Sequence, residues 1–172
     1  MKMLLIFLLF PIVGLAQADF VKITLLDGKV ELLAPKQLTS MTDDMWIFKY
    51  HQKVKPLLVL TDSNAEINLI AQMTGQALEE GEMEKYKDFR IANLEKTRSD
   101  LKILSDGVKT VNGKNVGYCK FLTQAIDQPV FNYYFFIIVN GKILFCSFNC
   151  IEKLQGTWEK YADEIVDSIK VK

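Results

Sequence analysis

Residues 131–139 read FNYYFFIIV, and they are followed by Asn140-Gly141 and by KILFCSFNC at residues 142–150. Asn-Gly supplies the positive φ values that a two-residue hairpin turn requires, so the two segments are predicted to be antiparallel neighbours. The first segment is apolar at consecutive positions, which predicts that both of its faces are covered. It therefore indicates the central strand of a sheet with a layer packed on each side.

Two more hairpins and a pair of strands extend this sheet outward. The dipeptides Asn112-Gly113 and Asp27-Gly28 mark the further hairpins. Asp62-Ser63-Asn64 predicts a turn between two apolar, partly β-branched strands. The strands assigned in this way are Phe20–Leu26, Lys29–Leu33, Leu57–Leu60, Glu66–Met73, Lys109–Val111 and Lys114–Ala125.

Three helices are predicted to cover the sheet. The C-terminal segment carries one apolar stripe, a second helix runs from about Leu78 to Arg98, and a short helix spans Thr42 to Tyr50 with Thr42 or Ser40 as its N-cap. In the second helix, Arg90 is expected to lay its stem along the apolar face. The C-terminal stripe consists of Leu154, Trp158, Tyr161, Ala162, Ile165, Val166 and Ile169.

These elements define the fold class as α+β: an antiparallel β-sheet of hairpins and a meander, with helices on its faces. Residues 19–172 are predicted to form a single domain, because this length supports one sizeable core. The chain has 172 residues, 49% of them hydrophobic, with 21 basic and 21 acidic side chains. The apolar content excludes disorder, and zero formal net charge removes the main driving force for binding nucleic acid.

The first 18 residues have the three parts of a secretory signal peptide. Lys2 provides the positive start, an apolar run follows, and Ala16-Gln17-Ala18 is a small-residue cleavage site. A membrane anchor is the alternative, but Pro11 and the polar residues from Gln17 onward interrupt the length that a span requires. We therefore expect cleavage near Ala18, export to the periplasm or the medium, and no transmembrane span in the remaining chain.

No catalytic or metal-binding pattern is present in the sequence. His51 is the single histidine, so any Ser-His-Asp or Cys-His mechanism would need it, and its polar surroundings predict a solvated surface residue. The three cysteines lack the paired spacing of a zinc site. The acidic pairs Asp43-Asp44 and Glu79-Glu80 lie near predicted helix starts, where negative charge is favourable. We expect no enzyme activity, no cofactor and no bound metal.

The cysteines are predicted to remain unpaired. Cys146 and Cys150 are four residues apart on one strand, about 13 Å at 3.3 Å per residue, which exceeds the roughly 7 Å limit for a disulfide. The aromatic strand separates Cys119 from Cys146. Buried thiols that act as small apolar residues are the expected state, and a redox thiol is the alternative.

The aromatic strand allows two interpretations. Its rings, from Phe131 to Phe136, are interpreted as core, because a strand covered on both faces is mostly packed. The alternative is the lining of an apolar ligand pocket between this strand and a helix.

Several short motifs lie between residues 20 and 172, and they include Ser40-Met41-Thr42-Asp43, Lys55-Pro56, Val111-Asn112-Gly113-Lys114, Ala125-Ile126-Asp127, Ser147-Phe148-Asn149-Cys150 and Asp167-Ser168-Ile169-Lys170. Together they resemble small exported bacterial proteins of unknown function in the PsbP-like α/β/α sandwich group. That group also holds the photosynthetic PsbP subunits, a nuclear-import factor that binds the Ran GTPase, and bacterial periplasmic and secretion-chaperone relatives. The resemblance implies a fold used mainly for binding proteins, with no catalytic residue to transfer.

Three functions remain open from the sequence. The first is an exported, non-catalytic domain that binds a protein partner in the cell envelope through its loops. The second is a carrier of a small apolar ligand, which would need a large apolar pocket. The third is a hydrolase built around His51, which would need a nucleophile and an acid within hydrogen-bond reach of that ring.

Overall fold

The computed structural model describes residues 20–172, and the expected signal peptide of residues 1–18 lies outside them. The elements of the described residues follow in chain order: β1 (Phe20–Leu25), β2 (Val30–Pro35), β3 (Thr39–Ser40), α1 (Asp43–Tyr50), β4 (Leu58–Thr61), β5 (Ile67–Ala77), α2 (Met83–Thr97), β6 (Lys102–Val111), β7 (Lys114–Gln124), β8 (Pro129–Val139), β9 (Lys142–Ile151), α3 (Gln155–Asp167) and β10 (Lys170–Val171).

The main sheet is antiparallel and has the strand order β3-β4-β5-β9-β8-β7-β6. Its two predicted Asn-Gly hairpins are confirmed. Asn112 and Gly113 have φ values of 47° and 80°, and Asn140 and Gly141 have values of 52° and 71°. In each case the flanking residues pair directly across the turn, as Val139 does with Lys142. Two consecutive residues in the left-handed region explain why the sequence places Asn-Gly here.

The first hairpin is confirmed, but it does not belong to the main sheet. β1 and β2 pair with each other, and β10 joins the outer side of β2, which gives a separate three-stranded sheet. The turn is also longer than the predicted two residues, because Leu26, Asp27 and Gly28 all have positive φ. The expectation of one sheet covered only by helices is therefore corrected: a small sheet forms part of one covering layer.

β8 has the central position that its composition predicts. Every side chain from Phe131 to Val139 is buried except Tyr134, which is partly buried. Alternate residues of β8 enter two different clusters: Phe135 and Ile137 join the largest core, and Phe136 and Ile138 pack with α2. The strand is thus the shared wall of two hydrophobic layers.

One face of the main sheet is covered by α3 and the three-stranded sheet. Ala162, Ile165 and Val166 of α3 are buried in the same cluster as β2 and the central strands, as predicted. Trp158 and Tyr161 pack at the edge of this cluster and remain partly exposed, so the predicted stripe is most deeply buried at its C-terminal half.

The opposite face carries α1 and α2. The second helix starts at Met83, after a 3-10 turn over Glu80–Glu82, which is later than the predicted Leu78. Met83 packs so closely on β7 that a Cβ at Gly117 would lie 2.8 Å from its Sδ atom, so any larger residue there would force the Met83 side chain to move. Arg90 lies on this apolar face, with its guanidinium group over the rings of Phe136 and Phe145.

Lys87 is a buried charge on α2 that the sequence did not predict. Its Nζ atom contacts Glu84 and Asp88 at 2.8 Å and Asp106 at 2.5 Å. Burial disfavours the ammonium form, but the hydrogen bonds that Nζ donates to these three carboxylates outweigh that effect and raise the pKa of Lys87. Phe89, on the same helix, is 52% exposed.

The three thiols lie in the core. Cys146 and Cys150 face α3, whereas Cys119 pairs across from Tyr134 on the other face, with β8 between β7 and β9. All three are free and buried, which confirms their interpretation as small apolar residues. Burial raises the pKa of Cys119 and Cys150 to about 12 and also raises the pKa of Cys146.

Candidate functional site

His51 is exposed and serves as the C-cap of α1. It has a φ of 54°, and its backbone N–H donates to the Ile47 carbonyl at 2.9 Å. Left-handed backbone at this position is a common way to end a helix. The surface location predicted for His51 is confirmed.

The acidic pairs also have structural roles. Asp43 and Asp44 occupy the first turn of α1, where the Thr42 hydroxyl accepts a hydrogen bond from the Met45 N–H at 3.2 Å. Glu79 and Glu82 form a capping box at the 3-10 turn before α2. In residues 20–172 no group of three or more His, Cys, Asp or Glu side chains is placed to hold a metal ion. None of the helices described there has the length and apolarity needed to cross a bilayer.

The rings of the aromatic strand pack against one another and against β9. Tyr133 and Phe135 have ring centroids 5.8 Å apart, and Tyr134 meets the Phe145 ring edge-on at 4.9 Å. Phe131, Phe135 and Phe136 are fully buried. This packing supports the core interpretation of the aromatic run.

An exposed apolar surface lies on α1 and the loop that follows it. Of the eight large apolar side chains that are exposed in residues 20–172, four fall in this short segment. Trp46 points inward and stacks on Tyr50, so the neighbouring positions of the helix face solvent. We call these four residues the α1 surface: Ile47 (45% exposed), Phe48 (83%), Val54 (81%) and Leu57 (50%).

Next to the α1 surface, on the same face of the main sheet, is a pocket of about 500 Å³. It is bounded by the end of α1, the β4–β5 turn, the end of α2 at Arg98 and the β7–β8 turn. We call it the amide pocket because five amide side chains line it: Asn64, Gln124, Gln128, Asn132 and Asn149.

The floor of the amide pocket is part of a polar row across the sheet. Asn68, Asn149 and Asn132 are direct neighbours on β5, β9 and β8. The Thr61 hydroxyl donates to Asn68 Oδ1 at 3.0 Å, and Asn68 Nδ2 donates to Asn149 Oδ1 at 2.9 Å. At the other end, Asn132 Nδ2 donates to Thr123 Oγ1 at 3.0 Å and to the Val130 carbonyl at 3.1 Å.

The walls of the pocket combine a phenol with balanced charges. Burial raises the pKa of Tyr50 to about 12, although Asn149 hydrogen-bonds to its hydroxyl and opposes that rise. Two basic residues, Lys49 and Arg98, face two acidic residues, Glu66 and Asp127. Both basic groups already have partners, since Lys49 donates to the Ala65 carbonyl and Arg98 binds Asp100 at 2.7 Å.

Sequence reasoning identified neither the α1 surface nor the amide pocket. The polar row joins residues up to 81 positions apart, and only strand register brings them together. One signal was available: Asn is disfavoured inside strands, yet Asn68, Asn132 and Asn149 all fall in apolar strand segments. Such a pattern indicates a polar requirement on that face.

The fold is PsbP-like. In comparisons with known proteins, no protein-family model matches the chain, and no curated protein matches it. Solved structures, in contrast, match the chain in fold. The cyanobacterial PsbP protein CyanoP from Synechocystis sp. PCC 6803 has a TM-score of 0.62 at 12% identity over 92% of this chain and 96% of that chain.

Two other solved structures show the same likeness. LpqN, described as involved in cell envelope biogenesis of Mycobacterium tuberculosis, has a TM-score of 0.60 at 12% identity over 89% of this chain and 90% of that chain. A protein from Bacteroides thetaiotaomicron has a TM-score of 0.54 at 12% identity, with 88% of this chain matching 48% of that chain. These matches confirm the resemblance at the level of the fold.

Proposed function

We propose that this chain is an exported, non-catalytic accessory domain that binds a protein partner in the cell envelope through the α1 surface. The observation that carries the proposal is the group of four exposed apolar side chains between residues 47 and 57. Exposed apolar patches on otherwise well-packed domains are typical of interaction sites, because water contact with them is unfavourable. Phe48 projects furthest into solvent and is the expected anchor of the contact.

The surroundings of the α1 surface favour a folded protein partner. Its neighbours in the chain, including Asp44, His51 and Lys53, are exposed polar or charged residues. Apolar side chains flanked by polar groups are a common arrangement in protein interfaces. α1 packs on the sheet through Trp46, which is only 3% exposed and clusters with Val59 and Ile70.

Export is supported by the three-part pattern of residues 1–18. The structural likeness to LpqN, a protein described as involved in cell envelope biogenesis, agrees with an envelope role. N-terminal sequencing of protein recovered from cells tests this part directly. We expect the mature chain to begin near Asp19, and a chain that retains Met1 would contradict export by cleavage.

Site-specific photocrosslinking tests the binding surface. A photoreactive amino acid is placed at Phe48 or, as the control, at Leu104, which is also an exposed apolar position (39%) but lies on β6 at the far edge of the sheet. We expect one discrete adduct from position 48 that is absent from position 104. Equal labelling from both positions, or adducts only with a second copy of this chain, would contradict an envelope partner at this surface.

A further inference from the structure

We propose that the amide pocket is a second binding site, separate from the α1 surface, and that it takes a neutral carbohydrate. The proposal concerns the floor residues Asn132 and Asn149 and the adjacent hydroxyl of Tyr50. It rests on the unused hydrogen-bonding capacity of the two amides, on the balance of charge around them, and on the geometry of the groups that could satisfy both amides together.

The hydrogen bonds of the polar row fix which atoms are left for a ligand. Asn149 accepts from Asn68 through Oδ1, so its Nδ2 remains the donor, one of whose hydrogens serves Tyr50. Asn132 uses Nδ2 for its two bonds, so its Oδ1 remains the acceptor. Because the two residues are paired across β8 and β9, a donor and an acceptor stand side by side on the pocket floor.

The polar row places amide side chains at buried positions of the sheet. Asn132 is only 8% exposed and Asn68 is fully buried, in a sheet whose buried positions are mostly apolar. A buried amide with an unmet hydrogen bond costs about 1–3 kcal/mol. Asn68 is satisfied by Thr61 and Asn149, and its effect is to orient the Asn149 amide with Nδ2 away from β5. The row therefore fixes the orientation of the Asn149 amide at the pocket floor. A ligand in the pocket would complete this hydrogen-bond network.

The charges in the pocket argue against an ionic ligand. The two basic and two acidic lining residues cancel, and each basic group is already engaged. Burial lowers the pKa of Lys49, and the charge of Asp62 opposes this change. The surroundings of Lys49 therefore do not favour its charged form. The raised pKa of Tyr50 keeps its phenol neutral, so the charged groups that line the pocket offer a ligand no net charge.

The side-by-side donor and acceptor match a pair of neighbouring sugar hydroxyls. Such hydroxyls can point toward the same surface, and each can donate and accept. One hydroxyl then donates to Asn132 Oδ1 while the next accepts from Asn149 Nδ2. A volume of 500 Å³ is within the range of small-ligand sites, about 300–1,000 Å³.

The test is a titration of the purified protein, followed by amide NMR, with cellobiose, maltose and N,N′-diacetylchitobiose. We expect at least one of these neutral disaccharides to bind, with Kd on the order of 1 mM, and to shift the side-chain amide signals of Asn132 and Asn149. A short uncharged peptide is titrated in parallel.

The decisive variant is Asn149→Asp, which keeps an oxygen that accepts from Asn68 but removes the donor. We expect it to weaken binding about tenfold or more. Asn115→Asp is the matched control, because Asn115 likewise accepts through Oδ1, from Thr110, but lies outside the pocket at the start of β7. Tyr50→Phe removes only a hydroxyl group. It provides a second test of saccharide binding if Asn149→Asp alters the fold.

Each result is informative. Saccharide binding that Asn149→Asp or Tyr50→Phe weakens and Asn115→Asp leaves intact supports the proposal. No shift with any of the three disaccharides overturns it, and so does preferential binding of the peptide at the same residues. The outcome is independent of crosslinking at Phe48, so the two proposals can fail separately.

Discussion

The two faces of the main sheet are built differently. The face toward α3 is covered by a continuous cluster in which β2, β8, β9 and α3 contribute fully buried apolar side chains. The face toward α1 and α2 has two smaller clusters, one around Tyr86 and Phe136 and one around Trp46 and Ile70. The polar row and the amide pocket lie on this same face, beyond the level of Ile70 along the strands. One face therefore stabilises the domain, and the other leaves room for contacts with other molecules.

The largest expected effect is on the continuous face. Phe135 is fully buried in the main cluster, so Phe135→Ala should lower the free energy of unfolding by about 3–5 kcal/mol. The matched control is Phe89→Ala on α2, where the ring is 52% exposed and the loss should be under about 1 kcal/mol. Urea denaturation measures both. Similar losses for the two variants would contradict the difference between the faces.

A smaller effect is expected at the rim of the same face. Trp158 is only partly buried, with its ring stacked on Phe148 at 6.3 Å and edge-on to Tyr161 at 5.1 Å. We expect Trp158→Ala to cost about 1–3 kcal/mol, less than the range for a fully buried aromatic. Ile165→Ala, at a fully buried position, should cost more although it removes a smaller side chain. Thermal melts that reverse this order would place Trp158 in the core.

The centre of the fold could be predicted from the sequence, but the layers that cover it could not. Asn-Gly turns and the unbroken apolar run of β8 are local signals, so the three hairpins and the doubly covered strand could be predicted. The first hairpin forms a separate sheet together with β10, which lies 135 or more residues further along the chain. No local sequence pattern predicts a pairing between strands so far apart. Lys87 was missed because its burial depends on Asp106, which lies on β6.

The candidate sites were missed for the same reason. A Phe in a helix is usually packed, and only the orientation set by Trp46 and the Thr42 cap reveals that Phe48 faces solvent. Likewise, each Asn of the polar row looks like an isolated polar residue until register aligns the three strands. Tertiary arrangement decides both features.

The thiols provide a probe of each face. Cys119 lies toward α2, which is held by few buried side chains, whereas Cys146 lies in the continuous cluster. We expect single-cysteine variants to show alkylation of Cys119 at least tenfold faster than of Cys146 in mild denaturant, because detaching α2 is a local opening. Both should be slow in the native state, since burial raises the pKa of each thiol.

The control for this measurement is full denaturation of the unaltered protein without reductant. Three alkylatable thiols are expected there, since no disulfide among Cys119, Cys146 and Cys150 is predicted. Equal alkylation rates for Cys119 and Cys146 in mild denaturant would show that α2 opens only with the whole domain, and would remove the proposed difference in local stability between the faces.

The smallest expected effect on stability is at the α1 surface. Phe48 is 83% exposed, so Phe48→Ser removes few contacts and should change the free energy of unfolding by no more than about 0.5 kcal/mol. The same substitution should abolish partner capture, because it replaces the most exposed side chain of the α1 surface with a hydroxyl. A variant that melts like the parent protein but captures no partner separates function from folding at this face. A loss of stability above about 1 kcal/mol would instead show that Phe48 is packed in solution, and the α1 surface would then be part of the core.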